Sequence, residues 1–180
     1  MLKILCIAAI MATASCSSDG DKEGFILPPP EPPVAETEID EAFLDDIQRK
    51  HFNFFWDLTN PKNGLVPDRA TPTANNYMTS VAATGFGLTA YIVGVERGFI
   101  TREQAAERTL TTLRFLKNAP QSDQPGNVSG YKGFYYHFLN RDTGYRQGTN
   151  ELSTIDTGLL MAGVLSSQSY FDADNAAEAE

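Results

Sequence analysis

The sequence predicts an all-α fold assembled from helical hairpins, with one short β-hairpin set into a loop. Three observations carry this expectation. Apolar residues recur at helical spacing from Ile39 to Leu58 and again from Ala106 to Leu116. Two further segments, opening at Ser80 and at Ser153, are apolar nearly all round, as buried helices are. These two segments also begin alike: Ser80-Val-Ala-Ala-Thr84-Gly85 resembles Ser153-Thr-Ile-Asp-Thr157-Gly158. The order outer, inner, outer, inner is that of a helical-hairpin repeat, in which small residues let inner helices approach closely. A chance recurrence of Ser, Thr and Gly is the alternative.

The chain opens with Met1-Leu2-Lys3, an apolar run to Ala12, the small residues Thr13-Ala14-Ser15, and Cys16. Charge, apolar stretch and small residues in that order make a secretory signal, too short for a spanning helix. A cysteine directly after the small residues resembles a lipobox, with Thr13 in place of the usual leucine. Lipidation of Cys16 and anchoring of an exported protein to a membrane, outer membrane or periplasmic, are therefore expected; an ordinary signal peptide is the competing reading. Residues 1–15 are then the signal, 16–38 the lipidated cysteine and its tether, and 39–180 the folded part. The tether holds Pro28-Pro29-Pro30 and Pro32-Pro33, which favour extended polyproline conformation.

The first helix is expected from Ile39, with Ile39, Phe43, Ile47, Phe54 and Leu58 as its stripe and Leu44 and Phe55 widening it. Asn60-Pro61 stops it. A long loop with turns at Asn63-Gly64 and Pro67-Asp68-Arg69 leads to Thr79. The second helix spans Ser80 to Arg97, with Gly98 as its stop. The third starts at Thr101, where Thr101 and Gln104 suit a capping box; Ala106, Leu110, Leu113 and Leu116 form its stripe. A polar loop covers 118–132. Phe134–Leu139 and Tyr145-Arg146 flank a turn at Asn140–Gly144 and read as a hairpin. The fourth helix runs from Ser153 to about Tyr170, with Ile155, Leu159, Leu160, Met161 and Leu165 among its apolar residues. Asp172–Glu180 reads as the opening of another helix. Two hairpins do not close a barrel, so a piece of a longer protein is expected.

The net charge is −9, and residues 17–46 hold ten acidic side chains against Lys22 alone, so the acidity belongs to the tether and first helix. A near-neutral body lacks the basic face that nucleic acid requires. Cys6 and Cys16 are the two cysteines, both near the start, so the folded part has no disulfide and no thiolate metal site. His51 and His137 have no partner acids at ligand spacing, and neither a metal nor a cofactor is expected.

Asp156 is the sharpest candidate for chemistry. It sits in the first turn of a buried helix, where the matching residue of the echo is Ala83. It is read either as a cap favoured by the helix's positive end or as a cleft acid. Glu151, in the entering loop, would complete the pair of carboxylates that glycoside hydrolysis uses, or lies on the surface. Asp68 and Arg69 form an ion pair that orders their loop, or bind sugar hydroxyls. Tyr131, Phe134, Tyr135, Tyr136, Phe138 and Tyr145 make the hairpin aromatic on both faces. Such rings pack inward or stack on sugars, and Tyr135, Tyr136 and Tyr145 are taken as substrate-binding candidates. Trp56 reads as core and His51 as a core-edge residue.

Asn63-Gly-Leu-Val-Pro-Asp-Arg69, Ser80-Val-Ala-Ala-Thr-Gly-Phe-Gly-Leu88 and Glu151-Leu-Ser-Thr-Ile-Asp-Thr-Gly-Leu-Leu160 resemble, in the same order, segments of the glucoamylase-like family of exported bacterial proteins. That family includes the endo-β-1,2-glucanases of glycoside hydrolase family 144. The resemblance covers about residues 40–172. It implies the opening hairpins of an incomplete (α/α)6 barrel, a glucan as partner, and a cleft formed by loops at one end. By position, Glu151 and Asp156 match the family's acidic segment, and Asp68 and Arg69 its first loop motif. Later family segments carry further acidic and aromatic cleft residues, so this stretch alone is expected to be inactive. Two other functions fit the residues: a non-catalytic glycan-binding lipoprotein, and a polysaccharide lyase, which the near-neutral body disfavours.

Overall fold

A computed structural model of the chain describes residues 40–70, 78–172 and 178, which belong to one compact unit, Ile39–Glu180. The signal, Cys16, the proline tether, Ile39, residues 71–77 of the loop before Met78 and most of the expected helix after Asp172 lie outside the described residues. Among the described residues four helices carry the fold: α1 (Glu41–Asp57), α2 (Val81–Glu96), α3 (Arg102–Asn118) and α4 (Thr154–Tyr170). Four short strands accompany them: β1 (Met78–Ser80), β2 (Gly130–Tyr131), β3 (Phe134–Tyr135) and β4 (Phe138–Asn140).

Each helix begins on a side chain that accepts one of its unpaired N–H groups. Asp40 caps α1 through the N–H of Phe43, Ser80 caps α2 through Ala83, and Ser153 caps α4 through Asp156. Thr101 and Gln104 form the expected reciprocal capping box on α3. Gly98, just past α2, has φ +67°, the left-handed conformation that only glycine adopts without cost.

The inner pair α2 and α4 pack most closely. A Cβ on Gly85 would overlap the backbone of Leu159 and Leu160, and one on Gly163 would overlap the carbonyl of Gly85. Close approach through small residues is thus built into this pair. Around it lie Leu65, Val81, Leu88, Tyr91, Ala105, Ala106, Leu116, Leu139 and Leu160, all buried. Trp56 packs against this cluster at its edge, edge-on to Tyr91 at 5.6 Å, as its core reading requires.

Three expectations need correction. The stripe of α1 is the predicted one only in part: Ile47, Phe54, Phe55 and Leu58 are half-buried, with Phe55 against the core. Phe52, outside that stripe, is the buried residue, set against Gly94, while Phe43 and Leu44 are exposed. Asp45 pairs with Arg97 at the end of α2, so the first turn of α1 lies past the end of its partner. His51 is exposed rather than at the core edge. α4 is also less covered than its composition suggests. It turns Asp156, Leu160, Gly163 and Ser167 inward, and leaves Ile155 73% exposed with Leu159, Met161 and Leu165 also outward. A helix that is apolar all round is covered, among the described residues, on the side where α2 lies.

The β structure also differs from the predicted hairpin. β4 pairs antiparallel with β1, Ser80 opposite Phe138, and β2 pairs with β3. The expected hairpin is present around its turn at Asn140–Gly144: Gly144 N–H donates to the Asn140 carbonyl at 2.8 Å, Asn140 N–H to the Tyr145 carbonyl at 2.7 Å and Gln147 N–H to the Phe138 carbonyl at 3.0 Å, with Leu139 bridged to Arg146. Its first arm is shorter than expected, since Phe134 and Tyr135 pair with β2 instead. The carbonyl of Arg141 in this turn accepts from the side chains of Asn60 and Asn63, tying the turn to the end of α1. Strand pairing across distant segments won because local alternation fixes which residues can be strand, not which strand they meet.

Candidate active site

The starts of α2 and α4 share one construction. In each, a serine caps the first turn, and a threonine in the next turn donates to the serine's carbonyl: Thr84 to Ser80 at 2.9 Å, Thr157 to Ser153 at 2.7 Å. Each threonine oxygen then accepts a backbone N–H from an incoming segment, Val66 for Thr84 and Tyr135 for Thr157. These hydroxyls hold the loops that run over the helix ends. One such loop, between β3 and β4, carries His137.

His137 stands between the two helix starts. Its carbonyl accepts from the N–H of Val81, the first residue of α2, and its own N–H donates to the carbonyl of Glu151. Its ring stacks on Phe138 with centroids 3.9 Å apart. The segment leading to α4 is locked onto β4 by Asn150, whose amide exchanges hydrogen bonds with both the N–H and the carbonyl of Phe138. Arg146 adds a bond to the carbonyl of Asn150 at 2.7 Å and lies over the ring of Tyr136.

This framework brings the two predicted carboxylates together around one imidazole. Glu151 Oε1 lies 2.7 Å from His137 Nδ1, and Asp156 Oδ2 lies 3.8 Å from His137 Nε2. The second distance is beyond a hydrogen bond and within charge contact. Asp156 is 8% exposed, and its carboxylate also accepts from the Ser153 hydroxyl. The Asp156 N–H in turn donates to Ser153 Oγ, so the two residues are bound reciprocally, but the carboxylate caps no backbone N–H: that of Ser153 goes to the Tyr135 carbonyl. Glu151 reaches into solvent. Its carboxyl is held below the usual carboxylate range, chiefly by a hydrogen bond from its own backbone N–H and then by His137.

The other candidates divide. Tyr135 and Tyr136 immediately precede His137 in sequence, and both pack partly into the core. The hydroxyl of Tyr135 donates to the carbonyl of Leu116 at 2.8 Å, and burial raises its pKa. Tyr145 is half-buried beside the Asn140–Gly144 turn. Asp68 and Arg69 pair with each other at 2.7 Å on the segment bridged to β1, so β1 stands between them and β4. The ion-pair reading of these two is what the side chains form. Two grooves along α3, of about 400 and 290 Å³, are lined by none of the predicted site residues.

Sequence reasoning set His137 aside because it looked only for metal spacing, and it passed over Asn150. Asn150 has no local signal. What could have drawn notice is a histidine inside an aromatic loop that also precedes two acids by a short interval.

No family model matches the sequence. The chain is 32% identical over 141 residues to an exo-β-1,2-glucooligosaccharide sophorohydrolase (non-reducing end) of Parabacteroides distasonis. That alignment takes in 76% of this chain and 18% of the relative. Among solved structures, a glucoamylase-like protein of Bacteroides uniformis superposes with a TM-score of 0.66 at 30% identity, over 80% of this chain and 34% of that one. An endo-β-1,2-glucanase of Chitinophaga pinensis, solved with sophorotriose and glucose, superposes at 0.65 with 26% identity, over 79% of this chain and 34% of that one. Over the aligned span the chain is a homologue of β-1,2-glucan-cleaving enzymes and of glucoamylase-like proteins, as its motifs suggested. It spans about a fifth of the curated relative's length.

Proposed function

We propose that these residues are the opening hairpins of an (α/α)6 glycoside hydrolase that cleaves a β-1,2-linked glucan. The observation that carries the reading is Asp156: a buried carboxylate at the start of an inner helix, 3.8 Å from an imidazole that Glu151 grips from the other side. In a chain homologous to β-1,2-glucan hydrolases, that is a place to hold and move a proton. Asp156 acts on the glycosidic bond, giving its proton to the leaving oxygen or taking one from water. Glu151 is the second carboxylate of the same site. The aromatic loop of Tyr135 and Tyr136, with Tyr145 and the Asp68–Arg69 loop, lines the approach of the sugar.

The aligned relatives extend far beyond this span, so we assign the activity to the protein in its complete length and expect the 180-residue chain alone to be inactive. The test is incubation of the complete protein with β-1,2-glucan, following reducing ends and unsaturated products in parallel. New reducing ends without unsaturated products are expected. Unsaturated products would identify a lyase, and binding without any product a glycan-binding protein. Turnover by the 180-residue chain at an ordinary enzymatic rate would overturn the assignment to the longer protein.

We further propose that Cys16 is lipidated and tethers the domain to a membrane through the acidic, proline-rich segment. The order of charge, apolar run and small residues before the cysteine supports it. No described helix is long and apolar enough to cross a membrane. Replacing Cys16 by Ala should move the protein from the membrane to the soluble fraction; retention in the membrane would sink the idea.

A further inference from the structure

We propose that His137 is the positioning residue of this site, and that Glu151 acts through it rather than on the sugar. The inference rests on the hydrolase reading above and gives Glu151 a definite role. Glu151 is ionised at neutral pH, and an ionised carboxylate only accepts hydrogen bonds. At 2.7 Å the proton between the two groups therefore sits on His137 Nδ1. The bond selects which ring nitrogen is protonated and fixes the plane of the ring, whose other face is already stacked on Phe138. With Nδ1 committed, Nε2 is the nitrogen that gains or loses a proton, and it is the one facing Asp156.

The consequence follows from what Asp156 must do. When Asp156 passes its proton to the leaving oxygen it becomes a carboxylate in a nearly closed site. When the ring carries a proton on Nε2 as well as Nδ1, that Nε2–H stabilises the carboxylate at charge-contact distance; the attacking water then bonds to the anomeric carbon through its oxygen and gives its released proton to Asp156. Ser153 donates its hydroxyl to the same carboxylate, so the imidazole adds the charged donor that a neutral hydroxyl does not provide. Among the described residues, the charged groups that face the ring or its partners are Glu151 from the entering segment, Asp156 from α4, and Arg146, whose charge reaches Glu151. The first turn of α2 brings only the uncharged Val81, Ala82 and Ala83. The backbone of His137 is bound independently of its ring, through the N–H to Glu151 and the carbonyl to Val81, so the side chain can be changed with the loop kept in place.

Two variants separate the ring nitrogens. His137→Asn retains a donor near the Nδ1 position, and His137→Gln retains one near Nε2. In the complete protein with β-1,2-glucan, His137→Asn should lower kcat by about tenfold or more with KM little changed, and flatten the pH–rate profile. His137→Gln should recover part of the rate and keep the flat profile. Wild-type pH profiles in both variants would overturn the inference. The second measurement needs no turnover. The 180-residue chain has two histidines, so ring-nitrogen NMR with histidine-selective labelling resolves them. His137 should be protonated at Nδ1 in its neutral form and lose that preference in Glu151→Gln. An unchanged tautomer in Glu151→Gln overturns the inference alone, with glucan cleavage intact. Absence of glucan cleavage by the wild type overturns the hydrolase reading instead, whatever the tautomer shows.

Discussion

The starts of α2 and α4 are the same device built twice, with one contrast in residue and one in packing that set them apart. Both use a serine cap, a threonine bound back to that serine, and the same threonine oxygen to hold an incoming loop. Where α2 has Ala83, α4 has Asp156. Where α2 has Gly85 pressed onto the backbone of α4, α4 has Gly158, whose Cβ position faces open space. The first difference shows that the cap and the packing work without a carboxylate. α2 makes the same serine cap with no acid, and the acid that α4 adds is the one that meets His137. The second shows that an echo in sequence need not be an echo in packing. One helix of the pair supplies the close contact and the other receives it.

The largest test of this comparison is Asp156→Asn, which keeps shape and the cap geometry but removes the charge. We expect the complete enzyme to lose about a hundredfold or more in rate. The melting shift should correspond to only about 0.3 to 1 kcal/mol, the ordinary worth of a helix-end acid. Near-normal turnover beside a large fall in melting temperature would mean that α4 differs from α2 only in its cap.

Next in size is Gly85→Ala. The added methyl meets backbone, which cannot rotate aside, so a loss of about 1 to 3 kcal/mol is expected by denaturant titration. Thr84→Val and Thr157→Val should follow, each costing about 1 to 3 kcal/mol, because a loop N–H loses its acceptor in a buried place. If one threonine mattered and the other did not, the claim of a shared device would fall. Gly158→Ala reverses the sign. With nothing near its Cβ, the change should stabilise by about 0.5 to 1 kcal/mol through helix propensity. A loss there would show that the outward side of α4 is already covered by something.

The smallest effect is in pH. The carboxyl of Glu151 is lowered in the folded chain, by its own backbone N–H first and His137 next. Its contribution to stability is therefore present above the ordinary carboxylate pKa and is lost as pH falls through the lower folded value. Melting curves of the wild type and Glu151→Gln should diverge slightly at neutral pH and merge in acid. Curves that diverge further in acid would contradict the depressed pKa.

Much of this was readable from the sequence, because it is local. Helix ends are set by groups one turn apart, so Ser80, Thr101, Ser153 and Gly98 announced them correctly. The echo of the two inner helices was visible for the same reason, and so was Asp156 as the residue that breaks it. The Glu151–Asp156 pairing was legible only as nearness along the chain. What joins them is His137, from a loop whose place depends on β4 finding β1 across some sixty residues, Thr79 to Leu139. Composition also misjudged coverage. Ile155 and Leu165 are apolar and were expected inside, yet which side of an all-apolar helix is buried depends on the neighbours it meets. Likewise Phe43 and Leu44 fit a helical stripe, but α2 ends too soon to cover them.

The sequence by itself determined the caps, the lengths of the inner helices and the single acid that distinguishes their starts, since these follow from interactions within a turn or two. Only the tertiary structure decided which strand pairs with which, which face of α4 is inward, and that an imidazole lies between the two carboxylates. Those outcomes depend on contacts between segments far apart in the chain, where pairing and burial free energy, rather than local preference, selects the partner.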